Sequence, residues 1–162
     1  MRRIGQVLTA VPAGVALLLA GCGVQVPADP DGTLDRVRDS GTLRAGASPN
    51  EPWVQLPAQR GGEPGGVEPD LVEAFADGLG AEVEWTVSGE EDLVGRMERG
   101  ELDLVVGGLT ADNPHGSSVG LTRPWTESTG PEGRTLQHVL AVPRGENAML
   151  AELESFLDEQ AP

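Results

Sequence analysis

Residues 100–125, GELDLVVGGLTADNPHGSSVGLTRPW, decide the fold. Gly100 closes a helical pattern, and residues 102–106 form a nearly continuous apolar run, the mark of a strand covered on both faces. The strand runs out into a Gly107-Gly108-Leu109-Thr110 turn. A polar connection follows, and a second short strand is expected over residues 119–122. A strand fed by a helix and released at a glycine turn belongs in an open α/β sheet, where ligands lie beyond the carboxyl ends of strands. Residues 107–115 are therefore the first candidate for a site.

Upstream, Ser88 and Glu91 have the S-x-x-E spacing of a capping box. Acids at 90–92 and arginines at 96 and 99 match the dipole of one short helix. Residues 81–87 alternate, with Val83, Trp85 and Val87 on one face and Glu82, Glu84 and Thr86 on the other, which predicts a half-covered or edge strand. Before it, Leu71, Val72, Phe75, Ala76 and Leu79 give a helical stripe that opens near Pro69 and stops at Gly80. Glu68 and Asp70 read as charge at that helix's amino end. Residues 48–67 are a Pro- and Gly-rich loop holding Trp53, residues 42–47 a strand, and residues 33–40 a helix stopped by Gly41.

Downstream, TESTGPEGR (126–134) is polar. A strand is expected over 136–142, antiparallel to 119–125 through the Gly-Pro-Glu-Gly turn. A final helix carries Met149, Leu150, Leu153, Phe156 and Leu157 on one face. His138 falls in a strand and reads as structural. Strands alternating with helices imply a largely parallel sheet.

The 162 residues carry a net charge of −15, and every basic residue is arginine. Such a chain repels phosphate backbones, which argues against nucleic-acid binding. One cysteine excludes an internal disulfide or thiolate cluster. Residues 1–21 have the positive start and apolar run of an export signal. They end at Leu19-Ala20-Gly21-Cys22, which resembles the bacterial lipobox; the resemblance implies cleavage before Cys22 and lipidation of it. Acyl chains contribute about 0.8 kcal/mol per buried CH₂, enough for a membrane anchor on the extracytoplasmic face. Residues 22–32 then read as lipidated cysteine and flexible tether, and 33–162 as one domain.

The segments, taken in order, resemble the family 3 extracellular solute-binding proteins, the amino-acid-type receptors of ATP-binding cassette importers. LDRVRDSGTLRAGASPNEPWV is similar to that family's first helix and strand, GVEPDLVEAFADGLGAEVEW to its next helix and strand, GELDLVVGGLT to its G-x-x-D-x-x-x-x-G-x-T turn, and VGLTRPW to its V-x-F-S-x-P-Y segment. Where the family builds a second lobe, this chain has TESTGPEGR, and HVLAVPRGENAMLAELESFL resembles the return to the first lobe. The resemblance implies an α/β single lobe of a periplasmic binding protein-like (type II) fold, mostly parallel, flanked by helices and closed by an antiparallel hairpin.

It further implies ligand contacts from Trp53, from the turn at Gly108, Leu109 and Thr110, and from position 115. The family has a carboxylate-binding arginine there, and this chain has His115. Imidazole lacks the fork of fixed N–H donors. It would serve as a polar or pH-sensitive contact, or lie on solvated surface. Asp112 and His115 are metal-ligand types, but two side chains are too few for a site. The implied partners are a small polar solute, a membrane through the anchor, and a transporter permease or a second copy. The competing reading is an accessory or sensor lipoprotein that uses the lobe for protein contact. No cofactor is implied, and with two histidines, no lysine and no nucleophile–base pair legible, no enzyme is expected.

Overall fold

The computed structural model describes residues 29–56 and 61–160. The expected signal segment, Cys22 and the first part of the tether lie outside these residues. In chain order the elements are α1 (Thr33–Ser40), β1 (Thr42–Ala47), α2 (Val67–Leu79), β2 (Glu82–Val87), α3 (Glu90–Glu98), β3 (Leu104–Val106), β4 (Val119–Leu121), β5 (Thr126–Thr129), β6 (Thr135–His138), β7 (Ala141–Pro143) and α4 (Asn147–Gln160). Five strands form one sheet in the order β2-β1-β3-β7-β4. β1 pairs in parallel with β2 and β3, whereas β7 is antiparallel to both β3 and β4. Four strands thus share one direction and β7 opposes them, so the sheet is mixed, with two parallel and two antiparallel pairings. β2 lies at the edge, as its alternation predicts.

The sheet sorts its side chains by parity. Leu104 and Val106 face one core with Leu43, Ala45 and Ala47, beneath α1, α2 and α4; Val105, between them, faces a second core with Leu93, Val94 and Met97 of α3. A Cβ on Gly46 would come 2.9 Å from Leu93 Cδ2 and 3.0 Å from Val105 Cγ2, so the glycine lets α3 lie close on β1. Gly41 and Gly80 end α1 and α2 in the left-handed region, as expected of helix stops.

Two expectations about local structure are corrected. α3 begins at Glu90 with Gly89 as its cap and makes no side-chain cap bond, so Ser88 and Glu91 do not form the reciprocal box. The acids in its first turn complement the dipole without it. The described end of the expected tether, residues 29–32, is hydrogen-bonded to the lobe. Asp29 accepts the N–H groups of Leu34 (2.8 Å) and Met149 (3.3 Å), and Glu146 those of Asp31 (2.9 Å) and Thr33 (3.0 Å). These two carboxylates satisfy helix-end donors across the chain.

The strand expected over 136–142 is two strands. At the break, Val139 N–H donates to Leu109 O (3.0 Å) and Leu140 N–H to the hydroxyl of Thr122 (3.0 Å). The chain therefore passes between two neighbours there rather than continuing along one. The polar segment 126–134 becomes β5 and the turn leading into β6, and β5 pairs with β6 antiparallel, from Thr126–His138 to Thr129–Thr135. With β4 and β7 paired behind them, the two segments make a ribbon that leaves the main sheet.

Candidate functional site

β1 and β3 end at the same edge, and Ser48 N–H continues their pairing by donating to Val106 O (2.8 Å). Beyond it the backbone turns at Gly107 and Gly108. Both of their N–H groups donate to Oε2 of Glu68, at 2.9 and 2.8 Å, and Asn50 Nδ2 donates to Gly107 O at 2.8 Å. Glu68 is 0% exposed, and its other oxygen has no partner among the described residues. Desolvation pushes its pKa up to about 7, against the pull of the two N–H bonds. The reading of Glu68 as helix-end charge is therefore corrected: it is a buried clamp under the turn. The cause is the sharp entry into α2, where Gly66 has φ 116° and a Cβ would come 2.6 Å from Trp53 O.

Trp53 lies over this turn. Its ring stacks on His138 at 4.0 Å between centroids and 37°, and meets Trp125 edge-on at 5.9 Å and 85°. A Cβ on Gly108, at φ +62°, would fall 2.5 Å from Trp53 Cδ1 and 2.6 Å from Asn50 Nδ2. Glycine at 108 is required both by the backbone and by the indole.

Thr110 bridges to His138 antiparallel, and its hydroxyl donates to Asp112 Oδ1 at 2.6 Å. Leu109 is buried in the α3 core, so only its backbone faces this edge. His138 is itself buried, and desolvation lowers its pKa. Its Nε2 and the Ser128 hydroxyl share a hydrogen bond of 2.7 Å whose direction the tautomer sets, and Nδ1 has no partner among the described residues. The sequence did not reveal this serine–histidine pair; among the described residues no carboxylate contacts its Nδ1.

His115 lies elsewhere. Its N–H donates to Asn113 Oδ1 at 2.7 Å, and its Nε2 is 4.0 Å from Glu90 Oε1, which Asn113 Nδ2 also meets at 2.8 Å. The structure therefore brings Trp53, Gly108, Thr110 and the backbone of Leu109 together, and sets His115 against the first turn of α3. Sequence reasoning missed Asn50, Trp125, Ser128 and His138. A signal existed for two of them: pairing 119–125 antiparallel with 136–142 places Trp125 beside His138, and Trp125 N–H donates to His138 O at 3.0 Å.

Among the described residues no group of three or more His, Cys, Asp or Glu could hold a metal ion, and no helix is long and apolar enough to cross a membrane.

A model of the family described as bacterial extracellular solute-binding proteins, family 3, matches residues 43–161. Membrane-bound lytic murein transglycosylase F of Vibrio cholerae is 31% identical over 97 residues, which is 59% of this chain and 17% of that protein. This chain thus matches only a small part of the length of that relative. The arginine-bound form of domain 1 of the T. maritima arginine-binding protein TmArgBP superposes with TM-score 0.66 and 23% identity, over 77% of this chain and 98% of that one. An ancestral cationic amino acid solute-binding protein gives TM-score 0.67 and 14% identity, over 79% and 93%. The fold is a single lobe of the type II periplasmic binding protein kind.

Proposed function

Because the chain belongs to the bacterial extracellular solute-binding proteins of family 3, we propose that it is a membrane-anchored, extracytoplasmic solute-binding lipoprotein. In this reading it is a component or relative of an ATP-binding cassette importer and presents half a cleft to a small polar solute. The observation that carries the reading is the platform of Trp53, backed by His138 and seated on the Gly107–Gly108 turn at the carboxyl edge of β1 and β3. An indole face there offers a surface for a cation or an apolar body, and the turn and Thr110 offer polar groups beside it. Cys22 is the anchor in this reading. We assign the lobe no catalytic role: the Ser128–His138 pair lies under Trp53, and among the described residues no acid orients it.

Half a cleft binds weakly. Micromolar affinity corresponds to about 8 kcal/mol, and loss of the opposing wall removes several kcal/mol of it, leaving a Kd on the order of millimolar. The test is titration of the protein with L-arginine, the ligand of the solved single lobe, and with other amino acids, followed by tryptophan fluorescence and by NMR. Saturable shifts that vanish in Trp53→Ala support the reading. Absence of any shift up to ~10 mM refutes it.

One observation favours the accessory reading. Leu56 and Val67 are 63% and 46% exposed, and both flank the loop that carries Trp53, where Gln55 pairs with Gly65. Apolar side chains at that rim would suit a protein surface that completes the cleft. Cross-linking from position 56 to a membrane protein in cells, without any solute shift, would decide for it.

A further inference from the structure

We infer that the cavity at the amino-terminal edge of the sheet, bordered by Arg36, Arg44 and Arg144, is a second site, one that binds a phosphate group. It lies at the opposite end of the strands from the Trp53 platform, and it stands or falls apart from the solute-binding reading.

The topology sets this cavity. β1 and β3 run toward the platform, so their starts lie at the far edge, and β7, antiparallel to β3, ends there. The cavity holds about 490 Å³. Its walls include Gly100 and Asp103 on the way into β3, Arg44 of β1, Arg36 of α1, and Arg144 just past the end of β7. A volume of that size admits a phosphorylated small molecule.

The three guanidiniums reach it from separate parts of the fold. Arg44 is committed to the scaffold. Its Nε and Nη2 donate to Asp103 at 3.1 and 2.6 Å, and its Nη1 donates to Gly100 O at 2.8 Å. Asp103 is 1% exposed and also takes Nη2 of Arg36. This one carboxylate holds two guanidiniums side by side against their mutual repulsion. Arg36 Nε and Nη1 have no partner among the described residues. Arg144 donates Nη1 to Ser117 O, next to Ser118 on the cavity wall, and its Nε and Nη2 likewise have no described partner. Asp31 and Glu98 also border the cavity, but both are exposed, where water and salt screen them. In a chain with 26 acids and 11 arginines, this edge carries a surplus of N–H donors over acceptors.

A phosphate group suits that surplus. It offers several acceptor oxygens in different directions, and planar guanidinium forks on separate elements can each take two of them. The place of the cavity gives the site a context. Asp31 on its wall belongs to the described end of the expected tether, and the nine residues from Cys22 to Asp31 span at most about 32 Å. In the anchored reading, the phosphates of membrane headgroups are within that reach. A soluble phosphate ester presents the same chemistry, and the probes below separate the two sources.

The experiment titrates the full chain with inorganic phosphate, with sn-glycerol 3-phosphate and with monomeric dihexanoyl phosphatidylglycerol, followed by backbone amide NMR. The variants are R36Q, R144Q, R144K and R123Q; the last removes an equal charge from an exposed ion pair outside the cavity. Thermal melts confirm folding, and R144Q, whose side chain is exposed, carries the test if R36Q does not fold. The expected result is saturable shifts at Gly100 and Ser118 with none at Gly107 and Gly108. Affinity should fall about tenfold or more in R36Q and R144Q, the equivalent of one lost charge-assisted hydrogen bond, less in R144K, and not at all in R123Q. Tighter binding of the phospholipid supports the site with a headgroup as its ligand, and tighter binding of glycerol phosphate or inorganic phosphate supports it with a soluble one. No saturable shift with any probe up to ~20 mM, or equal losses in R123Q and R144Q, would overturn the inference. Either of those results leaves the Trp53 edge and its solute titration untouched.

Discussion

Replacing Glu68 by glutamine tests the buried clamp beneath the glycine turn. The wild-type carboxyl is wholly buried, accepts two N–H groups on one oxygen, and has its pKa raised from 4.5 to about 7, chiefly by desolvation. At about 1.4 kcal/mol per pH unit, that rise corresponds to roughly 3 kcal/mol. The sign follows from linkage. Between about pH 4.5 and 7 the unfolded chain has released this proton and the folded chain retains it. Folding stability therefore falls as pH rises through that window, and levels off above it. Glutamine keeps an oxygen for the glycine N–H groups and carries no charge, so its contribution is flat. Its amide nitrogen takes the place of the unpartnered oxygen at a cost of about 1–3 kcal/mol, which does not vary with pH. The stability of Glu68→Gln relative to wild type should therefore climb by roughly 3 kcal/mol between pH 4.5 and 8, read from urea unfolding at each pH. Other titrating groups cancel in the difference. A relative stability that stays constant within about 0.5 kcal/mol across the range would refute the burial argument.

Three further outcomes follow from the packing. Gly108→Ala should cost about 2–3 kcal/mol, from a left-handed alanine and from collision with Trp53 and Asn50. Gly133→Ala, at φ +77° with nothing within 4 Å of its Cβ, should cost only about 1 kcal/mol in the same denaturation assay, and equal losses would refute the collision. Asp103 is buried, accepts Arg44 at 2.6, 2.9 and 3.1 Å, and pairs with Arg36 as well. Asp103→Asn should cost roughly 2–3 kcal/mol, less than a wholly buried pair because both guanidiniums are about one-third exposed; the exposed Arg123→Ala should cost far less in the same assay. Cys22→Ser should move the protein from the membrane fraction to the soluble extracytoplasmic fraction, and an unchanged partition would disprove lipid anchoring through that residue.

Much of the fold was legible because its signals are local. Gly41 and Gly80 stop helices, the alternation of 82–87 marks an edge strand, and the run at 104–106 marks a central one. What stayed illegible depends on contacts between distant residues. Glu68 has the composition of an exposed helix start, and only the fold of the loop before it turns its carboxylate beneath residues 39 and 40 positions away. His138 and Ser128 meet because the ribbon sets Ser128 opposite Leu136, a register that no single stretch encodes. The break at Val139–Leu140 depends on a hydroxyl from Thr122, 18 residues earlier. His115 occupies the position where the resemblance expects a ligand contact, but the asparagine beside it directs it to Glu90.

The ribbon has a consequence for how such lobes can be elaborated. Gly130 and Arg134 are hydrogen-bonded neighbours at its tip, so the chain departs from the sheet and comes back at nearly one point. A polypeptide of any length spliced between them leaves every pairing of β4 through β7 in register, and the entropy of closing the added loop grows only slowly with its length. The tip is thus a modular port. One genetic insertion there would graft a reporter, a binding domain or an opposing wall onto the finished lobe, and one deletion would return the lobe to the form it has now.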